Sequence, residues 1–352
     1  MTSISTSGQF FRIQTQNLAI QARMTEYSEQ TSTGKKGTVY GALGSDVRQS
    51  IDLRGHVNEL DTYQKNIATA QLRVTSAIDT MDRIKNVARD VRDQLTKLSG
   101  NPPPDQTVVK DIARRGYDEV AQLLNTKVEG RYIFAGSDIN TAPFPEARAK
   151  DFFEDIQGKV ENFSTNGAQQ TLDDTKIIAL DNTYFSQALT ENDPSPLRAR
   201  VDRNLDISYQ VRANGPETKD LDLVVTPEND KVSSFQEILR SLATAANLTY
   251  DPKNPASFND FQTMLTTTRT SLDAAAKSVD NHVGILGSAS ARMKALDTQH
   301  DETTVTLKQG VGDVEDVDMA ETISKLQLVQ TQLQASYKVT ATLQKVNLID
   351  FI

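Results

Sequence analysis

The sequence predicts a mainly α chain: an elongated, antiparallel, coiled-coil-like helical rod formed by both chain ends, with an α+β module inserted between its halves. Three observations predict it. Apolar residues recur at alternating spacings of three and four over one long stretch in each half of the chain, the pattern of helices packed along their length. In the middle the apolar period falls to two, the mark of strands. Finally, 37% hydrophobic and 6% aromatic residues with no Trp is thin for a compact enzyme of 352 residues, but suits long helices that each bury a narrow stripe. The expected segments are 1–45, an N-terminal assembly helix and turn; 46–130, the N-terminal half of the rod; 131–255, the inserted module; 256–312, the C-terminal half of the rod; and 313–352, a C-terminal assembly helix.

The first helix carries a stripe of Phe10, Ile13, Asn17, Ile20, Met24 and Tyr27. It is predicted to stop at "STGKKG", with Gly34 just past the last turn and Lys35 and Lys36 beside the final carbonyls. A phosphate loop does not fit there. Glu29 stands where the first glycine belongs, and Lys36 replaces the Ser or Thr that would hold magnesium.

The first rod helix follows two interleaved series: Leu60, Ile67, Val74, Met81, Ala88, Leu95, and Tyr63, Ala70, Ala77, Ile84, Val91, Leu98. The second follows Leu265, Leu272, Val279, Leu286, Met293, His300, Leu307 and Phe261, Thr268, Ala275, His282, Ala289, Leu296, Thr303. At 1.5 Å per residue each stretch would be roughly 60–70 Å long, and matched lengths at opposite ends of the chain suggest an antiparallel pair. His282, His300 and, by extension backwards, His56 fall on these seams. Packed histidines explain them better than a catalytic trio, since no Ser or Cys elbow accompanies them.

Between the rod helices, the prolines of "NPPPDQ" end the first. Asp105 then offers an N-cap for a shorter helix using Val109, Ile112, Val120, Leu123 and Leu124, expected to stop at Gly130. From Gly130 to Pro255 the runs Leu197/Ala199/Val201, Ile207/Tyr209/Val211 and Leu221/Leu223/Val225 read as antiparallel strands, with turns at Asn204 and Asn214–Pro216. "SFQE" from Ser234 reads as a capping box opening a helix through Leu242.

The C-terminal segment carries Ile323, Leu326, Gln330, Leu333, Tyr337 and Thr340 on one seam and then "LQKVNLIDFI", with five apolar residues among the last seven. Apolar residues also lie off both terminal seams, Phe11 and Leu18 on one side, Val329, Val339 and Leu343 on the other. A seam with flanking hydrophobes calls for more than one neighbour. Burying the five end residues would yield something like 7–15 kcal/mol at ~1.5–3 kcal/mol each. Fixing the backbone of the terminal segments at ~1–2 kcal/mol per residue outweighs that in an isolated chain. Both ends are therefore expected to order by pairing with each other and with neighbouring copies. The expected subunit-assembly interface is Phe10, Phe11, Ile13, Asn17, Leu18, Ile20, Met24, Ile323, Leu326, Leu333, Tyr337, Leu343, Val346, Leu348 and Phe351. Asn17, polar within an apolar seam, is a candidate for fixing register between chains, against a partly wetted position with no special role.

Charge and composition exclude several classes. The net charge is −9, which argues against nucleic acid and anionic membrane surfaces, and no apolar run reaches the length of a membrane span. Without Cys there is neither disulfide nor thiolate chemistry. The acidic group Asp313, Glu315, Asp316, Asp318 and Glu321 lacks the Gly and Glu spacing of a calcium loop, and carboxylates at a helix start account for it. No catalytic residue, cofactor or metal is expected. The start of the sequence lacks the basic and apolar regions of a cleaved signal peptide.

Three segments carry a resemblance. "VEDVDMAETISKLQLVQTQLQASYKVTATLQKVNLIDFI" resembles the C-terminal segment of the bacterial flagellin family, and "STGKK" lies where that family has its N-terminal S-[ST]-G-K turn. "GRYIFAGSDINTAPF" (Gly130 to Phe144) is closer to the hook–filament junction members than to filament-forming flagellins, which have an F-N-G-x-x-L type segment there. The resemblance spans roughly 1–144 and 260–352. It implies a structural axial protein of the flagellum, with terminal helices in the inner wall of a tube. The implied partners are further copies of itself, the hook-side junction protein, flagellin and an export chaperone. It further implies an extracellular location, reached through the flagellar export apparatus. A filament subunit remains the alternative within the family, and an enzyme or binding module in the central insertion the alternative outside it.

Overall fold

A computed structural model describes residues 6–100, 103, 105–136, 138–190, 197–214, 232–254 and 257–349. The architecture is mainly α, with long helices towards both ends of the chain and a small inserted sheet region. In chain order the elements are α1 (Thr6–Thr33), α2 (Val47–Thr96), α3 (Thr107–Leu124), β1 (Lys127–Val128), β2 (Arg131–Tyr132), α4 (Glu146–Val160), α5 (Phe163–Asn166) and α6 (Ala168–Leu180). They continue with α7 (Gln187–Thr190), β3 (Arg198–Asp202), β4 (Leu205–Ser208), α8 (Ser234–Asn247), α9 (Phe258–Glu315) and α10 (Met319–Ile349). Two compact units result, one from Met1–Thr62 with Gln299–Ile352 and the other from Tyr63–Thr298.

In the second unit the heptad series are core. From Tyr63 to Leu98 every predicted seam position of α2 and the turn after it is buried, and so are Phe261, Leu265, Thr268, Leu272, Ala275, Val279, Leu286 and Met293 of α9. The two helices run antiparallel, because acceptors on α9 descend as donors on α2 ascend. Lys85 and Arg89 both reach Asp280, at 2.8 and 2.6 Å, and Arg92 reaches Asp273 at 2.6 Å. Hydrogen bonding from Lys85 is the main cause that holds the Asp280 carboxyl below its ordinary range.

Several expectations for the insert need correction. The helix begun near Asp105 ends at Leu124, not at Gly130. Gly130 instead closes the β1–β2 hairpin, where Glu129 and Gly130 both take positive φ, 51° and 77°, the handedness that lets a two-residue turn match strand twist. Asp105 lies one residue before the cap position, yet still accepts from the Thr107 backbone N–H and hydroxyl. The period of two does not extend through the insert: residues 146–180 are largely helical, and Ala149, Phe152, Phe153, Ile156 and Val160 form one buried face of α4. That spacing is helical.

The antiparallel pair β3–β4 forms as expected, with Ala199 opposite Ile207, a turn at Arg203–Asn204, and Ala199, Val201 and Ile207 facing inwards. The third run, Leu221 to Val225, lies outside the described residues. The capping box is present one residue early, with Ser233 as cap and Gln236 as its reciprocal partner, and α8 continues to Asn247. Almost every residue of α8 is buried. It is the central helix of this unit, packed against α3, α4 and α6. Its buried Arg240 ties three helices together through Glu237 of α8, Thr175 of α6 and Ser271 of α9.

The "GRYIFAGSDINTAPF" segment supplies this core with aromatic anchors. Phe134 meets Phe235 of α8 edge-on at 5.5 Å between ring centroids, while Phe144 stacks on Phe185 at 5.0 Å and meets Phe152 at 6.0 Å. Such aromatic pairs add stabilisation beyond the area they bury.

Candidate assembly interface

The first unit pairs the terminal helices. α1 ends as its sequence requires, with Gly34 at φ 71° and its N–H on the Gln30 carbonyl, 2.8 Å. The chain then forms an antiparallel bridge between Lys35 and Asp316, flanked by Lys36 N–H to Glu315 O at 2.7 Å and Val317 N–H to Gly34 O at 3.0 Å. The two lysines thus serve the end of α9, where Lys36 Nζ donates to the Val314 carbonyl, and not the end of α1 as the sequence suggested. Asp318 caps α10 by accepting from the backbone N–H groups of Ala320 and Glu321.

From this crossing α1 and α10 diverge from the same end and run antiparallel. The Ser336 hydroxyl donates to Asn17 Oδ1, and Gln21 Nε2 donates to the Tyr337 hydroxyl at 2.7 Å. Asn17 therefore meets a polar partner on the other terminal helix of the same chain. On α1 the half-buried positions include Ile13, Asn17, Ile20, Met24 and Tyr27, as the stripe predicts. On α10 the inward face is rotated by about one residue from the expected seam. Thr322, Val329 and Leu333 are buried and Leu326, Ser336 and Thr340 half-buried, whereas Ile323 and Tyr337 are 40% and 49% exposed. The polar pairing of Ser336 with Asn17 lies on this rotated face, where a hydrogen bond between the helices takes the place of an apolar contact.

Outside this seam the pair keeps a second apolar set uncovered. Phe11 and Leu18 on α1 are 68% and 61% exposed, and Leu328 and Val339 on α10 are 58% and 53% exposed. No described residue of α1 is fully buried. Phe10, Leu343, Val346 and Leu348 lie in the terminal helices, but their side chains are outside the described residues, and Phe351 lies outside them altogether. Of the histidines, His300 is buried and His282 half-buried. His56 is exposed beside Glu59 at 3.6 Å and so is off the seam, because the pairing face has turned away by that point of α2.

One cluster escaped sequence reading. Glu315, nearly fully buried at the last turn of α9, accepts two hydrogen bonds from Arg54, 2.6 Å each, and one from Ser50 at 2.7 Å, with Lys35 at 3.5 Å. Arg54 above all holds the Glu315 carboxyl down to about 2. Its partners lie more than 250 residues away in sequence, so no local pattern could announce them. Among the described residues, no helix is long and apolar enough to cross a membrane and no acidic or histidine group is arranged to hold a metal.

Comparison with known proteins places these elements in context. Residues 4–139 match the bacterial flagellin N-terminal helical region, and residues 270–352 match the bacterial flagellin C-terminal helical region, together well over half the chain. The chain is 24% identical over 339 residues to flagellar hook-associated protein 3 of Escherichia coli (strain K12), covering 93% of this chain and 92% of that protein. In fold it is similar to a solved protein from Vibrio parahaemolyticus described as flagellar hook-associated, with TM-score 0.53 and 14% identity over 77% of this chain and 97% of the other.

Proposed function

The chain belongs to the bacterial flagellin family and is a structural axial protein of the flagellum, and from that premise we propose that it joins hook to filament, polymerising through α1 and α10. The observation that carries the reading is the second apolar set, Phe11, Leu18, Leu328 and Val339, left uncovered by a helix pair that already buries one seam. Scattered exposed hydrophobes are ordinary, but a row along both members of one pair calls for further helices. Neighbouring copies supply them. The fifteen expected interface residues stand within this proposal, with Ile323 on the outer surface, Ile13, Asn17, Ile20, Met24, Leu326 and Leu333 also serving the pairing within the chain, and the part-exposed Tyr337 bonded to Gln21 at its edge.

In this reading the partners are further copies, the hook-side junction protein and flagellin. An export chaperone covers the terminal segments before assembly, and the protein works outside the cell in the flagellum. Its role is mechanical and not catalytic. Sedimentation of purified protein with and without isolated hooks tests it: a junction protein adds a short, saturating layer to hook ends, whereas unlimited polymerisation without hooks makes the chain a filament subunit. Cells lacking the gene should keep hooks and release filament protein into the medium.

A further inference from the structure

In the second unit a small, partly open cavity of about 20 Å³ lies between α2, the β1–β2 hairpin and the ends of the β3–β4 ribbon. Arg73, Arg131, Ile139, Leu197, Tyr209 and Gln210 are among its walls. Two hydrogen-bond donors in these walls, Arg73 Nε and Gln210 Nε2, are buried with no partner among the described residues. The amide of Gln210 is oriented by its other end, where Oε1 accepts the Leu197 N–H at 2.6 Å. Arg73 is anchored only loosely, with Nη1 3.4 Å from the Tyr209 hydroxyl. Arg73 and Arg131 are among the lining residues, and no Asp or Glu is among the described ones.

Buried donors without acceptors are costly to keep, so the space calls for an acceptor. Its volume admits one water-sized body and excludes phosphate, sulfate and organic carboxylates. A water molecule satisfies the donors, whereas a monatomic anion satisfies them and also pairs with the positive charge of Arg73. We propose that this cavity is a halide site, occupied by chloride in chloride media, that pins the β3–β4 ribbon to α2 through Gln210 and Arg73.

Thermal unfolding of the full chain in chloride against gluconate, at fixed ionic strength so that screening is equal, tests the site. The midpoint is expected to rise saturably by about 2–4 °C as chloride replaces gluconate. Gln210→Glu keeps the acceptor for Leu197 and places a fixed carboxylate beside Arg73. It should abolish the chloride dependence while retaining the wild-type helical spectrum. Chloride-35 relaxation on the wild-type protein gives a readout that needs no variant: excess line broadening, removed by bromide competition, is expected. Equal midpoints in the two salts together with no excess broadening would mean the space holds water, and the proposal falls. Persistence of the chloride effect in a folded Gln210→Glu protein would place the effect elsewhere and overturn it as well.

Discussion

Arg54 and Glu315 form a bidentate ion pair, Nε to Oε1 and Nη2 to Oε2 at 2.6 Å each, across 261 positions of sequence. Because Ser50 and Lys35 converge on the same carboxylate, this one side chain ties the start of α2, the turn after α1 and the end of α9. It fixes the crossing from which both terminal helices depart. Fork-to-fork geometry makes Arg the suitable partner, since two parallel bonds fix orientation as well as distance.

Acid should loosen that crossing within a defined window. The Glu315 carboxyl ionises at about 2 in the folded chain against an ordinary 4.5, so its contribution is complete above pH 4.5 and is lost as pH falls from there through 2. Glu315→Gln should cost about 1–3 kcal/mol at pH 7. Denaturant unfolding across pH 2–7 should show wild type and variant converging at the acid end. An undiminished gap at pH 2 would contradict the assignment.

Seam and surface should respond oppositely to substitution. Leu333 is buried between α1 and α10, so Leu333→Ala should cost about 2–3 kcal/mol in the isolated chain. Phe11→Ser with Leu18→Ser removes residues that are mostly exposed and should shift stability by about 0.5 kcal/mol or less. The double variant should nevertheless fail to add to hook ends in the sedimentation assay. Normal assembly would detach the outer apolar set from polymerisation.

Gly116 of α3 packs tightly against α2. A β-carbon there would lie 3.0 Å from Val87 Cγ1 and 3.4 Å from Val91 Cγ2. Gly116→Val should therefore cost about 1–3 kcal/mol through overpacking, despite replacing a poor helix former. The unfolding midpoint measures it.

Asp280 is the shared acceptor of Lys85 and Arg89, and Lys85 is the more enclosed of the two, its side chain 13% exposed. Asp280→Asn should destabilise by about 0.5–1.5 kcal/mol at low salt, with the difference shrinking towards 1 M salt as screening grows. A salt-independent difference would assign the effect to packing.

The sequence by itself determined the long helices and their seams, because a heptad stripe such as Ile67–Val74–Met81 admits one burial pattern whatever its partner, and backbone chemistry likewise set the Gly34 stop and the Ser233–Gln236 capping box to within a residue. The helical face of α4 is equally present in the spacing from Ala149 to Val160. Only the tertiary structure decided the rotation of α10 that turns Ile323 outwards, the pairing of Asn17 with Ser336 and of Gln21 with Tyr337, and the convergence of Arg54, Ser50 and Lys35 on Glu315. These depend on which distant groups meet, and a periodicity records that a face must be covered without recording by what.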